Sequence, residues 1–240
     1  MNNPKISIVT VCYNAVDTIE KTILSVINQT YKNIEYIIID GASKDGTVDV
    51  INKYRDKISY FVSESDKGIY DAMNKGIKVA TGEWLIFINS DDTFYNKHVL
   101  SRVINKLNNH NTIYYGNVIT IPQNIIQGGK YTKYKIGMGN ICHQSIFYPS
   151  KVFKKYFYNL DYKLYADWFL NIMCMSDKEF RFEFLDLIIC NYKTTGFSNT
   201  SIDYLFWNDY YFILIKYLGI NVALYVRLRR FLHRQKSILR

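Results

Sequence analysis

This sequence predicts an α/β architecture: an open, mostly parallel sheet with helices on both faces, followed by a helical C-terminal tail. Two patterns predict it. Over the first hundred residues, short β-branched apolar runs alternate with apolar stripes at helical spacing, the signature of strand–helix–strand units. Those strands are followed by acids, at Asp40, at Asp66 and at the Asp91–Asp92 pair. In an open parallel sheet, ligands bind beyond the carboxyl ends of the strands. Carboxylates gathered there on a basic chain point to a bound cation and a phosphate-bearing ligand.

The elements follow in order. KISIVTV, residues 5–11, is a β-branched run suited to a strand covered on both faces. After the loop CYNA, Val16, Ile19, Ile23, Val26 and Ile27 recur at helical spacing, and Asp17 with Glu20 resembles a capping box. A second strand, Ile34–Ile39, stops at Asp40, with a turn at Gly41. A helix over Thr47–Tyr54 and a third strand over Ile58–Ser63 come next. Ile69, Met73, Ile77 and Ala80 form another helical stripe, which Gly82 is expected to end. Trp84–Ile88 is a fourth strand that delivers Asn89, Ser90, Asp91 and Asp92 to its tip. Beyond it the pattern loosens. Thr112–Ile121 and Ser145–Tyr148 read as strands, Gln123–Gly139 as a flexible loop and Tyr165–Met175 as a helix.

At 240 residues, the chain suits one large domain or a domain with an appendage. An apolar share of 48% supports a packed core and excludes disorder as the default. The 22 Tyr and 14 Phe suit sugar sites or membrane interfaces, although AT-rich coding bias raises Tyr as well. Cys12, Cys142, Cys174 and Cys190 show no CxxC spacing, and no signal sequence precedes Ile6. Both features fit a reducing cytosol and argue against a disulfide scaffold or a zinc site. The net charge of +9 is uneven: residues 210–240 hold seven Lys and Arg and no acid, so the body is nearly neutral.

The residues narrow the chemistry. An acid after the second strand holds a ribose hydroxyl in dinucleotide-binding folds, but those folds need GxGxxG after strand one. Here that position reads Cys12-Tyr13-Asn14-Ala15, with no glycine, which excludes the nicotinamide dinucleotide reading. Asp40 is then free to accept from the imide N–H of a pyrimidine base, or is a plain turn-former before Gly41. Asp91 and Asp92 at a strand tip are hard oxygen donors of the kind that Mg²⁺ or Mn²⁺ on a diphosphate requires. An exposed Asp-Asp turn is the simpler alternative.

Taken together, ISIVTVCYN, IIIDGASKDGT, SESDKGIYDAMNKGI, GEWLIFINSDD, HQSIFYP and YADW resemble the family 2 glycosyltransferases, inverting enzymes of the GT-A fold. The likeness runs over roughly residues 5–200, with the segments in that family's order. Small bacterial enzymes that extend lipid-linked units of O-antigen, capsule or colanic acid are the most similar members. The resemblance implies a catalytic domain over residues 1–200, with 1–92 binding the nucleotide sugar and 93–200 the acceptor, and a tail over 201–240. It implies that Thr10, Tyr13 and Asn14 line the nucleotide cleft and that Asp40 reads the uracil. Asp66 and Gly68 lie against the nucleoside or sugar, with Asn74 more loosely placed. By the same resemblance Asp92 is expected to be the metal ligand, in SDD rather than a strict DxD, and Asp91 to contact the donor sugar or to stand behind the ligand. Asp167 matches the catalytic base, and His143 and Gln144 match the acceptor side. The implied donor is a UDP-sugar and the implied cofactor Mn²⁺ or Mg²⁺. A dTDP- or GDP-sugar donor and a catalytically silent membrane scaffold are the rivals.

In the tail, Leu224, Leu228 and Phe231 fall on one helical stripe and Arg227, Arg230 and Arg234 on another. The apolar stretch Tyr217–Val226 is too short to span a bilayer. A basic amphipathic helix suits an anionic membrane surface, as a polyprenyl-diphosphate-linked acceptor would need. The expected location is cytoplasmic, peripheral on the inner membrane. Tyr204–Tyr217 is expected to pack on the body, with the last turns facing the membrane. No nucleic-acid module accompanies the charge, so nucleic acid is not an expected partner.

Overall fold

The computed structural model describes residues 3–194 and 202–238. Its strands are β1 (Ile6–Cys12), β2 (Ile34–Asp40), β3 (Tyr60–Ser63), β4 (Trp84–Phe87), β5 (Thr93–Phe94), β6 (Thr112–Ile121), β7 (Ile126–Gln127), β8 (Ile146–Pro149) and β9 (Arg181–Lys193). The helices are α1 (Ile19–Ile27), α2 (Thr47–Asn52), α3 (Ile69–Val79), α4 (Val99–Val103), α5 (Lys133–Met138), α6 (Ser150–Phe153), α7 (Ala166–Ser176), α8 (Tyr204–Ile213) and α9 (Ile220–Ile238).

The sheet runs β3-β2-β1-β4-β8-β6-β9-β5, with β7 hairpinned onto β6. β3, β2, β1 and β4 are parallel, as the strand–helix alternation predicts. The second half is mixed, because β8 inserts antiparallel between β4 and β6. β1 shows why the run is apolar throughout. Ile6 and Ile8 face one core with α1, while Val9 and Val11 face the other with α3. Trp84 and Ile86 against Leu85 and Phe87 repeat that split on β4. Burial on both faces is the driving term, at about 25 cal/mol per Å² of apolar surface.

Several local expectations are corrected. α1 starts after Thr18 without any side-chain cap; Glu20 instead accepts from the Tyr54 hydroxyl at 2.8 Å. α3 ends at Ala80 in extended conformation, and Gly82 serves elsewhere, donating its N–H to Ser7 Oγ at 2.8 Å. The supposed loop 123–139 contains β7 and the short helix α5, which Thr132 caps by accepting from the Lys135 N–H. β9 has no counterpart in the sequence reading. It pairs parallel with β6 across register shifts at Tyr115–Asn117 and Asn117–Val118, which break the period-two pattern.

The tail continues the core. Phe206, Tyr210, Ile213, Leu214, Val222, Ala223 and Val226 are buried in the cluster that contains Trp168 and Ile136. Arg230 does not join an outward basic stripe. Its guanidinium lies 4.7 Å from the Trp207 ring centroid and 4.6 Å from that of Tyr210, a half-buried cation–π clamp. Arg227 and Arg229 are exposed, and so are Leu224, Leu228 and Phe231. The Arg234 side chain lies outside the described residues.

Candidate functional site

The parallel register brings the ends of β1 and β2 together, with Cys12 opposite Asp40. The chain then turns away from each strand through left-handed residues, Asn14 at φ 47° and Ala42 at φ 63°. Asn14 ties the two loops, its Oδ1 accepting from the Lys44 N–H at 3.0 Å and its own N–H donating to Ser43 Oγ at 2.8 Å. Asp40 organises this turn from inside. Its Oδ2 accepts from the Ser43 N–H at 2.9 Å and the Ser63 hydroxyl at 2.6 Å, and its Oδ1 accepts from Ser43 Oγ. The residue is fully buried, and the charge beside Cys12 pushes that thiol up, after burial itself.

At this edge Tyr13 is 66% accessible and Asp66 is half-buried. Asp66 Oδ1 accepts from the Gly68 N–H at 2.8 Å, while its Oδ2 lies beside Gly41. A Cβ on Gly41 would meet Asp66 Oδ2 at 2.6 Å and the Tyr13 ring at 3.3 Å. A side chain on Gly41 would have to displace the ends of these two side chains. Gly68, at φ 114°, supplies the left-handed start of α3. Gly41→Ala is expected to push Asp66 and Tyr13 apart and, with this corner holding the nucleotide as the resemblance implies, to weaken UDP binding about tenfold or more, with little loss of thermal stability. Calorimetric titration with UDP checks it; unchanged affinity would detach this corner from nucleotide binding.

At the tip of β4, two adjacent carboxylates have different surroundings. Asp92 is buried, its Oδ2 accepting from Gln144 Nε2 at 2.6 Å and its Oδ1 from the Lys193 N–H at 2.8 Å. Burial first, then the neighbouring Asp91, pushes its carboxyl up to about 7. Asp91 is partly exposed; burial raises its carboxyl above the ordinary range, while Lys193 and His143 pull the other way. Gln144, whose Oε1 accepts from Cys142 Sγ at 2.8 Å, is buried with Asp92.

Asp167 lies in the first turn of α7, where a carboxylate complements the helix dipole. Its Oδ2 accepts from Asn140 Nδ2 at 2.8 Å and from His143 Nδ1 at 3.0 Å. Its Oδ1 accepts from the Trp168 N–H at 2.8 Å and lies 2.9 Å from the Tyr70 hydroxyl. A carboxylate only accepts, so His143 carries its proton on Nδ1, and Nε2 accepts from Asn89 Nδ2 at 3.1 Å. One imidazole thus spans from Asp167 to the residue two before Asp91.

Among the sequence-predicted residues, the structure brings Tyr13, Asn14, Asp66 and Gly68 to one corner, and links Asp167 through His143 and Asn89 to the Asp91 strand tip. Others face inward. Thr10 is fully buried, its hydroxyl 3.2 Å from that of Tyr36, and does not line a cleft. Asn74 makes two bonds to the Tyr158 backbone and fastens the loop before α7. Asp40, Asp92 and Gln144 are buried with internal partners, so none presents a free polar edge. The sequence reading placed Asn89 at the strand tip without giving it a role, and missed Asn140 and Lys193; Lys193 is about a hundred residues from Asp92, and no spacing connects the two.

Among the described residues, no group of three or more His, Cys, Asp or Glu side chains is arranged to hold a metal. The strand tip does offer a partly exposed carboxylate, Asp91, and, two residues before it, Asn89 Oδ1, a buried oxygen without a hydrogen-bond partner among the described residues. One or two oxygen donors are what a divalent ion carried on a diphosphate requires, so these residues fit a substrate-borne ion.

A family model described as glycosyl transferase family 2 matches residues 7–177. A PGL/p-HBAD biosynthesis glycosyltransferase of Mycobacterium bovis is 33% identical over 211 residues, covering 85% of this chain and 82% of that protein. Residues 1–349 of S. aureus TarS, solved with UDP, superpose with a TM-score of 0.72 at 17% identity, covering 97% of this chain and 72% of that one. The mannosyltransferase PcManGT from Pyrobaculum calidifontis, solved with GDP-Man and Mn²⁺, gives 0.65 at 15% identity, covering 80% and 57%. These likenesses in structure carry the GT-A fold, and the match in sequence carries the family. The family model over residues 7–177 and the 33% identical relative agree: the chain belongs to glycosyl transferase family 2.

Proposed function

We propose that this glycosyltransferase moves a hexosyl group, with inversion, from a UDP-sugar to a saccharide on a polyprenyl-diphosphate lipid, in the assembly of a bacterial surface polysaccharide. The observation that carries this reading is the His143 bridge, which sets Asp167 within one imidazole of the β4 tip. A single displacement needs those two groups together. Asp167 takes the proton of the acceptor hydroxyl as its oxygen attacks the anomeric carbon, and the diphosphate departs on the opposite face. A Mg²⁺ or Mn²⁺ ion would act as a Lewis acid on the departing diphosphate. In this reading Asp91 holds the ion and Lys193 adds positive charge near it, while Asp92 and Gln144 brace the strand tip. Tyr13 stacks on the base and Asp66 faces the nucleoside, with Asp40 shaping their turn. The donor half is residues 1–92 and the acceptor half 93–200.

The test is UDP release from UDP-, dTDP- and GDP-hexoses, together with calorimetry of UDP in Mn²⁺, Mg²⁺ and EDTA. Metal-dependent UDP binding and UDP release support the reading. Binding of GDP or dTDP alone would replace the donor, and no nucleotide binding would leave a silent scaffold.

We also assign the outer face of α8 and α9 to an anionic membrane surface. Phe212, Leu224, Leu228 and Phe231 are all more than half exposed, with Lys216, Arg227 and Arg229 exposed among them. Among the described residues no helix is long and apolar enough to cross a membrane. Apolar side chains interleaved with cations suit the headgroup boundary. Such a location is peripheral, on the cytoplasmic face of the inner membrane. Deleting residues 220–240 would strip Val222, Ala223 and Val226 from the core, so exposed point substitutions are the cleaner probe. Leu224→Glu with Leu228→Glu is expected to cut flotation with phosphatidylserine vesicles about tenfold or more and leave UDP binding intact. Undiminished flotation would move the membrane contact elsewhere.

A further inference from the structure

The side chains behind Asp167 form a chain with a direction. Asp167 Oδ2 can only accept, so Asn140 must present its Nδ2 to it, at 2.8 Å. Asn140 Oδ1 then faces Asn171, which must present Nδ2, also at 2.8 Å. Asn171 Oδ1 in turn faces Tyr148, whose hydroxyl donates at 2.7 Å. The carboxylate therefore orients both amides. The three residues come from separate elements: β8 for Tyr148, α7 for Asn171 and the turn after α5 for Asn140. Tyr148 and Asn171 are fully buried, and apolar residues could fill such positions without the cost of desolvating polar groups. The polar chain is satisfied at each link, and the charged group it meets is Asp167.

The two oxygens of Asp167 are held differently. Both donors to Oδ2, Asn140 Nδ2 and His143 Nδ1, bond to that oxygen. Oδ1 keeps the Trp168 N–H, but its second donor is the Tyr70 hydroxyl, which lies 2.9 Å from Oδ1 and 2.8 Å from the Leu164 carbonyl. One proton serves one of those acceptors at a time. Sharing that proton leaves Oδ1 the less firmly held of the two oxygens, since each donor to Oδ2 serves that oxygen alone.

We propose that Asn140, backed by Asn171 and Tyr148, is a positioning residue that pins Oδ2, so that Oδ1 is the atom receiving the acceptor's proton. This rests on the reading of Asp167 as the base. The acceptor oxygen forms its bond to the anomeric carbon as the bond from that carbon to the diphosphate oxygen breaks. That electron pair leaves with the nucleoside diphosphate. The hydroxyl proton passes to Oδ1 while Tyr70 donates to Leu164.

The test measures kcat and KM with the hexose donor that the nucleotide panel selects. Asn140→Ala is expected to lower kcat about 10- to 100-fold, with donor KM and UDP affinity within about twofold. Asn140→Asp keeps the shape but puts an acceptor where the donor was, and should lose at least as much. Asn140→Ala combined with Asn171→Ala should be no worse than Asn140→Ala, because both break the same chain. A merely structural Asn140 predicts near-normal kcat in Asn140→Asp and multiplying losses in the double variant; either result overturns the proposal. Tyr148→Phe deletes one distant hydroxyl and serves if the amide variants do not fold. A kcat several-fold lower at full UDP affinity supports the chain, and an unchanged kcat overturns it. Turnover retained by Asp167→Asn would instead defeat the base assignment beneath the proposal.

Discussion

With Asp167 as the proposed base, Asp167→Asn is expected to bind UDP with the affinity of the unaltered protein and to lose turnover by about 10²- to 10⁴-fold, the usual contribution of a positioned base. The side chain keeps its shape, and the packing of α7 on Trp207 and Tyr210 runs through Trp168, although the new amide NH2 faces donors where a carboxylate oxygen accepted. What is lost is an acceptor: the amide cannot receive a proton from an attacking hydroxyl. The corner proposed for the nucleotide, at Tyr13, Gly41 and Asp66, makes no hydrogen bond to Asp167 among the described residues, which is why affinity for UDP should survive. Calorimetry with UDP and a UDP-release assay on the same preparation separate the two effects. Preserved turnover would remove Asp167 as the base, and lost UDP affinity would mean the helix start had collapsed.

The second large effect separates two neighbouring acids. Asp91→Ala is expected to lower UDP affinity in Mn²⁺ about 100-fold, to the level that EDTA gives, while thermal stability changes little. Asp92→Ala should do the opposite. It leaves Gln144 Nε2 and the Lys193 N–H without their acceptor in a buried place, at a cost of about 2–4 kcal/mol. Both effects read out in one calorimetric series; metal-dependent affinity that disappears in a stable Asp92→Ala protein would reverse the roles. The acids also differ in pH response. Asp92's carboxyl is pushed up to about 7 in the folded chain, by burial first. In an unfolded chain it titrates near ~3.9. Between roughly pH 4 and 7 the folded state therefore holds the extra proton, so this group's contribution to stability falls as pH rises through that window. Asp92→Asn should remove that slope from the melting temperature of the ligand-free protein measured from pH 5 to 8. An identical slope in both proteins would show that Asp92 does not set it.

Fold and site were legible in the sequence to different depths. β1, β2 and β4 were readable because burial on both faces demands uninterrupted β-branched runs, and β6 was readable from Thr112 to Ile121. β9 was not, since Glu183, Asp186 and Asn191 interrupt it and two register shifts hide its alternation. α5 was lost in a stretch of Gly and Lys whose helix begins at a single Thr cap. In the tail, a stripe drawn by spacing alone put Arg230 with the outward arginines. Packing chose otherwise, because two aromatic faces from α8 were within reach of its guanidinium.

The sequence by itself determined where carboxylates would collect, since a strand period and a following helix leave the acid at the sheet edge whatever the rest of the chain does. It could not determine which carboxylates stay open. Asp91 and Asp92 are adjacent, as are His143 and Gln144, and neighbouring residues on irregular backbone point in different directions. Lys193 and Gln144 close Asp92 from inside, and Ser43 and Ser63 close Asp40. Asn140, His143 and Tyr70 converge on Asp167 from three separate elements. Those partners lie between 3 and 101 residues away along the chain. Only tertiary packing decides which of them arrive, because a buried charge takes the donors that the fold brings within hydrogen-bond reach, not those nearest in sequence.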